Sequence, residues 1–227
     1  MRSFRILLSS LCAAAVALGA STGGSWISAP RAEAAPASVP DASVWTIGPI
    51  IKGRNYSQGV PLQPTRNRAG GWYIDIPGAP GSVHYVTFPH GSLAGKSRIR
   101  MRFKVDLAPG AQIVPLTAPQ APSMLTLYFQ RAGDGWSIKR GFEDFRWYAT
   151  FATLTPITPG EHEIVAPLTA NWTAVQSSSA RNNPGGFAAA VNNADQVGFV
   201  LGGGDGYGHG VFATGPARIT VTTFRVE

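Results

Sequence analysis

Residues 96–106, with the sequence KSRIRMRFKVD, alternate without a break between polar and apolar side chains. One parity holds four cations, which are Arg98, Arg100, Arg102 and Lys104. The other parity holds four large apolar residues, which are Ile99, Met101, Phe103 and Val105. Because successive side chains of an extended chain point to opposite faces, this pattern predicts a β-strand with one buried and one exposed side. The four apolar residues are therefore expected to be buried.

Similar short runs recur along the chain between glycine and proline residues. Seven more runs are predicted to be strands, and they cover residues 71–76, 84–88, 124–131, 145–151, 161–168, 196–202 and 217–226. Eight short strands in a chain with 27 Gly and 18 Pro predict an all-β fold, an antiparallel β-sandwich of jelly-roll type. Helix is expected only within residues 182–193, and residues 108–123 are expected to form a long loop across one end of the sandwich.

The N-terminal residues have the pattern of a secretory signal peptide. Two arginines precede an apolar run over residues 6–20, and small residues at Ala32 and Ala34 mark a cleavage site. A retained membrane anchor is the alternative, but the run is shorter than the roughly 20 apolar residues that a spanning helix needs. We therefore expect residues 1–34 to be removed, residues 35–43 to be a disordered linker, and residues 44–227 to form one domain. This domain is expected outside the cytoplasm, periplasmic or secreted, without a stable membrane span.

The charge and cysteine content of the processed chain limit its function. Without residues 1–34 the chain keeps 16 of its 19 Lys and Arg and 11 of its 12 Asp and Glu, a formal charge of +5. This balance favours anionic polymers or surfaces as partners, but nucleic acid is not expected because the protein is exported and has no visible basic helix. The single cysteine, Cys12, lies in the predicted signal peptide, which excludes thiol catalysis, thiolate metal sites and disulfides from the processed chain.

Residues 160–227 carry a resemblance to a known class of domain. They run through GEHEIVAPLTANWTAVQ, then GGFAAAVNNADQVGFVLGGGDGYGHG, and end in ARITVTTFRV. This order resembles the galactose-binding-like jelly roll found in many carbohydrate-binding modules, and the resemblance implies carbohydrate binding. Thr222 and Thr223 stand where many such modules have an acidic residue in the closing strand. No metal ion and no cofactor is therefore predicted.

Two strands carry residues that suit a glycan. Sugar rings present an apolar face and a rim of hydroxyls, so their sites pair aromatic rings with planar polar groups. Tyr128 and Gln130 share one parity in residues 124–131, and Arg146 and Tyr148 share one parity in residues 145–151. These four residues are expected to share a polar face with the cationic row of residues 98–104. The alternative is that most of the aromatic rings belong to the core.

The cationic row predicts a preference for an extended anionic glycan, uronic or sulfated. Arginine forks match the geometry of carboxylate and sulfate groups better than lysine does. The alternative is that the row only protects a strand edge or keeps the sheet soluble.

The segment GGGDGYGHG, residues 202–210, is the most unusual stretch of the chain. Its glycines permit backbone angles that other residues avoid, and Asp205, Tyr207 and His209 stand at alternating positions in it. We expect these three residues to form a rim of the ligand site. A flexible hairpin between two strands is the alternative.

Two other classes of function remain open beside a binding protein. Glu143 and Asp144 are adjacent and so face opposite ways, whereas Glu161 and Glu163 start a strand, so neither pair suits a hydrolase. A polysaccharide lyase has the residue types that it needs in His84, His209, Tyr128 and Tyr207, but no complete motif. A structural envelope protein without a ligand is the third class. The sequence favours an exported, non-catalytic protein that binds a polysaccharide or a cell-envelope glycan.

Overall fold

The computed structural model describes residues 39–137, 139, 141–176, 178–204 and 208–227, with the backbone alone for Phe151 and Ala152. The predicted signal peptide, the first four residues of the predicted linker, and Asp205 and Tyr207 lie outside the described residues. The first described residue is Val39, five residues before the predicted start of the domain. No helix in the described ranges has the length and apolar character needed to cross a membrane.

Short strands account for most of the regular structure in the described residues. A 3₁₀ helix (Ala42–Val44) comes first, and the α-helices are α1 (Thr150–Thr153) and α2 (Pro184–Asn192). The strands up to the middle of the chain are β1 (Thr46–Gly48), β2 (Ile50–Ile51), β3 (Arg54–Asn55), β4 (Thr65–Arg66), β5 (Trp72–Asp75), β6 (Tyr85–Pro89), β7 (Arg98–Leu107) and β8 (Ile113–Pro115). The later strands are β9 (Met124–Arg131), β10 (Arg146–Tyr148), β11 (Thr155–Pro156), β12 (Gly160–Pro167), β13 (Thr173–Ala174), β14 (Ala194–Gly202), β15 (Val211–Ala213) and β16 (Ala217–Val226).

Two antiparallel sheets form the sandwich. Within the described part of the chain, the seven-stranded sheet has the order β1-β6-β14-β9-β10-β13, with β11 also paired to β9. The five-stranded sheet has the order β12-β7-β16-β5-β4. The longer strands β5, β6, β7, β9, β12, β14 and β16 alternate between the two sheets along the chain. The predicted fold class, an antiparallel β-sandwich of jelly-roll type, is confirmed.

The core lies between the sheets and follows the alternation of the sequence. On β7 the predicted apolar row, Ile99, Met101, Phe103 and Val105, is 0 to 2% exposed. Each such side chain contributes about 1.5 to 3 kcal/mol when it is fully buried. The prediction that this row is buried is therefore confirmed.

Two segments differ from their predicted structure. The predicted strand over residues 145–151 ends at Tyr148, because the chain turns into α1, and β11 then takes over the pairing with the start of β9. The predicted loop over residues 108–123 contains β8, which pairs with β15. The second difference arises because β8 pairs with a strand that is distant in the sequence, which a local pattern does not show.

Helix α2 contains two neighbouring glycines that give a matched test of local packing. A Cβ added to Gly185 has no heavy atom within 4 Å. A Cβ added to Gly186 meets the carboxylate of Asp144 and the amide of Asn183, the residue that caps the helix.

We expect Gly185→Ala to leave the protein unchanged or to stabilise it by up to about 1 kcal/mol, since alanine favours the helix. Gly186→Ala is expected to destabilise the protein by about 1 kcal/mol, because it displaces the cap. Urea unfolding of both variants measures the difference. Equal shifts of the midpoint would contradict the proposed contact.

Candidate functional site

The outer face of the seven-stranded sheet carries a second, smaller buried cluster. It contains the tyrosine layer, which we define as Tyr85, Tyr128 and Tyr148, together with Val200. Tyr128 lies directly opposite Tyr148 in the register of β9 and β10. The ring centroid of Tyr128 lies 5.1 Å from that of Tyr85 and 5.2 Å from that of Tyr148. The hydroxyls of Tyr85 and Tyr148 are 2.9 Å apart, so the three rings form one packed group.

Burial disfavours ionisation of two phenols of this layer, those of Tyr128 and Tyr148. It raises the pKa of Tyr128 and of Tyr148 well above the ordinary range, and the neighbouring phenol of Tyr85 adds to the effect. A phenol with a raised pKa acts as a hydrogen-bond donor or acceptor at neutral pH but not as a proton-abstracting base. Tyr128 is therefore poorly suited to act as the base of a lyase reaction.

A buried ion pair lies beside the tyrosine layer. Arg146 Nε is 3.0 Å from Asp134 Oδ2, with 6% and 0% of the two side chains exposed. Gln130 Nε2 donates to Asp134 Oδ2 at 2.9 Å, and the Tyr128 hydroxyl donates to Gln130 Oε1 at 3.0 Å. Burial raises the pKa of Asp134, whereas the Arg146 charge opposes that rise. One polar network thus joins the layer to the loop that contains Asp134.

Trp136 lies over this network in a strained conformation. Its φ is 60°, in the left-handed region that costs a non-glycine residue about 1 to 3 kcal/mol. The Trp136 N–H donates to Asp134 Oδ1 at 2.8 Å, and the Arg146 guanidinium lies 5.2 Å from the centroid of its ring. The Tyr85 ring meets it edge to face, with centroids 5.1 Å apart. Trp136 is half-buried, whereas the other four tryptophans in the described ranges, Trp45, Trp72, Trp147 and Trp172, are fully buried.

The glycine-rich segment returns to the sheet beside the tyrosine layer. Gly208 has a φ of 72°, and a Cβ added there would lie 3.1 Å from the Tyr85 ring. His209 follows as an exposed residue. Because Asp205 and Tyr207 lie outside the described residues, the rim that these residues and His209 are expected to form stays a prediction.

The cationic row lies on the opposite side of the sandwich from Tyr128, Gln130, Arg146 and Tyr148. Strand β7 belongs to the five-stranded sheet, whereas β9 and β10 belong to the seven-stranded sheet. The prediction that these four residues share a face with the row is therefore wrong. Parity indicates which residues of one strand share a face, but it does not indicate which sheet the strand joins.

Acidic residues from other parts of the chain balance the row. Arg98 Nε pairs with Glu227 at 2.5 Å, and Lys104 Nζ pairs with Asp106 at 2.7 Å. Glu163 on β12 lies 3.3 Å from Arg100 and 3.1 Å from Arg102, and the hydrogen bond from Arg102 lowers the pKa of Glu163. The row lines part of a groove of about 660 Å³ that also contains Glu161, Arg218 and Thr220. This face therefore carries charges of both signs.

Three residues that contribute to this candidate site through ring contacts or hydrogen bonds were not among the predicted site residues. These residues are Tyr85, Asp134 and Trp136. A signal was present for two of them, because Asp134 and Trp136 stand in the turn-like segment AGDGWS between two predicted strands. Residues that bind ligands often lie in such loops on a rigid scaffold.

Comparison with known proteins finds a likeness among solved structures. No protein-family model and no curated protein matches the chain. Among solved structures, it is similar to CBM28, a carbohydrate-binding module specific for non-crystalline cellulose. The TM-score is 0.45 at 11% sequence identity, over 87% of this chain and 96% of that chain. The resemblance to galactose-binding-like modules stays a prediction.

Proposed function

We propose that this protein is a non-catalytic carbohydrate-binding protein that holds a glycan against Trp136, on the outer face of the seven-stranded sheet. The partly exposed, strained Trp136 is the observation that carries the proposal. An indole ring offers the flat apolar surface on which a sugar ring stacks. Backbone strain that the surrounding structure maintains is typical of ligand sites. Export by means of residues 1–34 belongs to the same proposal.

The polar network supports binding more than catalysis. Asp134 is the carboxylate next to Trp136, but its oxygens already accept hydrogen bonds from Gln130 and from the Trp136 N–H. Its side chain has no exposed surface, so it is poorly suited to protonate a glycosidic oxygen. The network instead fixes the position of the indole ring, as a preorganised binding site requires.

We expect mainly neutral glycans to bind at Trp136, because the charges beneath the ring are balanced. Arg146 and Asp134 cancel each other beneath the ring, so the affinity there should depend little on salt. A preference for anionic polysaccharide, which the cationic row predicts, is a separate part of the proposal. The triple variant Arg98→Ser, Arg100→Ser, Arg102→Ser tests that part.

Trp136→Ala is expected to weaken glycan binding at least about tenfold, because removal of an aromatic anchor costs about 2 kcal/mol or more. A glycan array on the wild type first identifies a ligand, and titration calorimetry then compares the variants at two salt concentrations. Tyr56→Ala is the matched control, since Tyr56 is an exposed aromatic residue elsewhere in the chain.

Three outcomes would contradict parts of this proposal. Full binding by Trp136→Ala, with an unchanged melting temperature, would exclude the indole ring from the site. Loss of binding in Tyr56→Ala alone would move the site to the other aromatic residue. Loss of binding in the triple arginine variant alone, with steep salt dependence, would move the glycan to the cationic row.

A further inference from the structure

One buried carboxylate joins the polar network to the backbone of Trp136. Asp134 Oδ1 accepts the Trp136 N–H at 2.8 Å. Asp134 Oδ2 accepts Gln130 Nε2 at 2.9 Å and lies 3.0 Å from Arg146 Nε, and the Asp134 side chain has no exposed surface. Because the φ of Trp136 is 60°, its backbone keeps this conformation only while contacts such as these maintain it.

The strength of the contact between Asp134 and Trp136 depends on the charge of the carboxyl group. A hydrogen bond to an ionised acceptor is roughly twice as strong as one between neutral groups. Protonation of Asp134 therefore weakens its bond with the Trp136 N–H and ends the ion pair with Arg146. Arg146 keeps another partner in that state, since its Nη2 donates to the Ser137 carbonyl. A neutral Asp134 thus leaves Trp136 with a weaker contact against the same backbone strain.

We propose that Asp134 is a pH-sensitive switch, which holds Trp136 in its strained conformation when it is ionised and releases Trp136, and with it the glycan, when it is protonated. This inference rests on the proposed function at Trp136 and adds its regulation. Burial raises the pKa of Asp134, and the Arg146 charge and the hydrogen bonds from Trp136 and Gln130 only partly oppose that rise. The release is therefore expected at a higher pH than that at which an exposed aspartate is protonated.

The charged and titratable groups around Asp134 keep their charge states in mild acid. Within the described residues, Arg146 on β10 is the cation that faces it, and the Tyr128 phenol on β9 is the nearest phenol in the network. The phenols of Tyr85 on β6 and Tyr148 on β10 lie behind Tyr128. Arginine and tyrosine do not titrate between pH 7 and pH 4.

Two histidines on the far side of the tyrosine layer provide controls, because histidine does titrate in this range. A Cβ added to Gly210 would lie 2.6 Å from His84 Nε2, so His84 packs against the end of the glycine-rich segment. His209 follows Gly208, which lies against the Tyr85 ring. We expect His84→Gln and His209→Gln to respond to acid at the same pH as the wild type.

Acrylamide quenching of Trp136 fluorescence from pH 7 to pH 4 tests the switch without a glycan. The Trp136 signal is the difference between the wild type and Trp136→Phe at each pH. We expect it to change with the same midpoint as the Asp134 carboxyl carbon in ¹³C NMR, while far-UV circular dichroism stays native. The dissociation constant of the neutral oligosaccharide that binds most tightly on the array should rise at least about fivefold from pH 7 to pH 4.

Variants of the network separate a switch from a merely structural role. Asp134→Asn should abolish the pH response. Gln130→Ala keeps the carboxyl group and its cation but removes a hydrogen bond that lowers the pKa of Asp134. It should therefore move the midpoint to higher pH by at least about 0.5, and it decides the question even if Asp134→Asn does not fold.

Several results would overturn the inference. These are Trp136 quenching that is the same at pH 7 and pH 4, a midpoint that follows a histidine variant but not Gln130→Ala, and a quenching change that occurs only with loss of the native circular dichroism. Glycan binding that is equally tight at pH 7 and pH 4 would overturn it as well and leave the proposed function intact. Absence of glycan binding at pH 7, with a pH-dependent Trp136, would contradict the proposed function instead.

Discussion

Arg146→Met is expected to lower the free energy of unfolding by about 3 to 5 kcal/mol at neutral pH. The substitution keeps the bulk of the side chain but leaves the fully buried Asp134 without its cation. It also removes the guanidinium that lies against the Trp136 ring and donates to the Ser137 carbonyl. Urea unfolding at pH 7 measures the loss.

An exposed ion pair with similar chemistry provides the control. Arg218 Nε lies 2.6 Å from Asp75 Oδ1, with 42% and 63% of the two side chains exposed. Arg218→Met is expected to cost less than about 1 kcal/mol, because water already solvates both charges. The double variant Arg146→Met, Asp134→Leu should recover most of the loss, since no unpaired buried charge remains.

The pH dependence of the Arg146→Met variant follows from the carboxyl group that stays behind. Burial already raises the pKa of Asp134, and removal of Arg146 raises it further. A carboxyl whose pKa is higher in the folded state binds its proton more tightly there, so its folded form gains stability as the pH falls. The difference in the free energy of unfolding between the variant and the wild type should therefore become smaller from pH 7 towards pH 5. A difference between variant and wild type that stays constant or grows towards pH 5 would contradict this account.

Trp45→Ala is expected to destabilise the protein by about 3 to 5 kcal/mol. The Trp45 ring is fully buried, and its centroid lies 4.7 Å from Trp72, 4.5 Å from Phe88 and 5.1 Å from Phe224. Trp72 and Phe224 belong to the five-stranded sheet and Phe88 to the seven-stranded sheet, so Trp45 packs against both. Its removal creates a cavity between the sheets.

Trp45→Phe is the control for this prediction, because it keeps an aromatic ring and part of the volume. We expect it to recover about half of the loss. Thermal and urea unfolding of both variants measure the effect. A loss of less than about 1 kcal/mol in Trp45→Ala would mean that the sheets close over the vacated space.

The candidate site was predictable only in part. Tyr128 with Gln130, and Arg146 with Tyr148, were grouped correctly within their strands, and the pairing of β9 with β10 brings all four together. The sequence did not predict that Asp134 completes the polar network. It also did not predict that Tyr85 and Trp136 pack together with the other aromatic rings. These contacts depend on the path of a loop and on a strand 43 residues earlier than Tyr128, and neither is encoded in a local pattern.

Alternation along each strand was sufficient to determine the fold class and the buried row on β7, because side-chain direction in an extended chain is a local property. The partners of each strand were decided only by the tertiary structure. Arg102 meets Glu163, which lies 61 residues away, and Arg98 meets Glu227, which lies 129 residues away. The row that carries like charges in the sequence therefore becomes a charge-balanced surface in the sandwich, on the side opposite the tyrosine layer. Neighbours across a sheet are selected by the packing of the whole chain, and local periodicity does not contain that information.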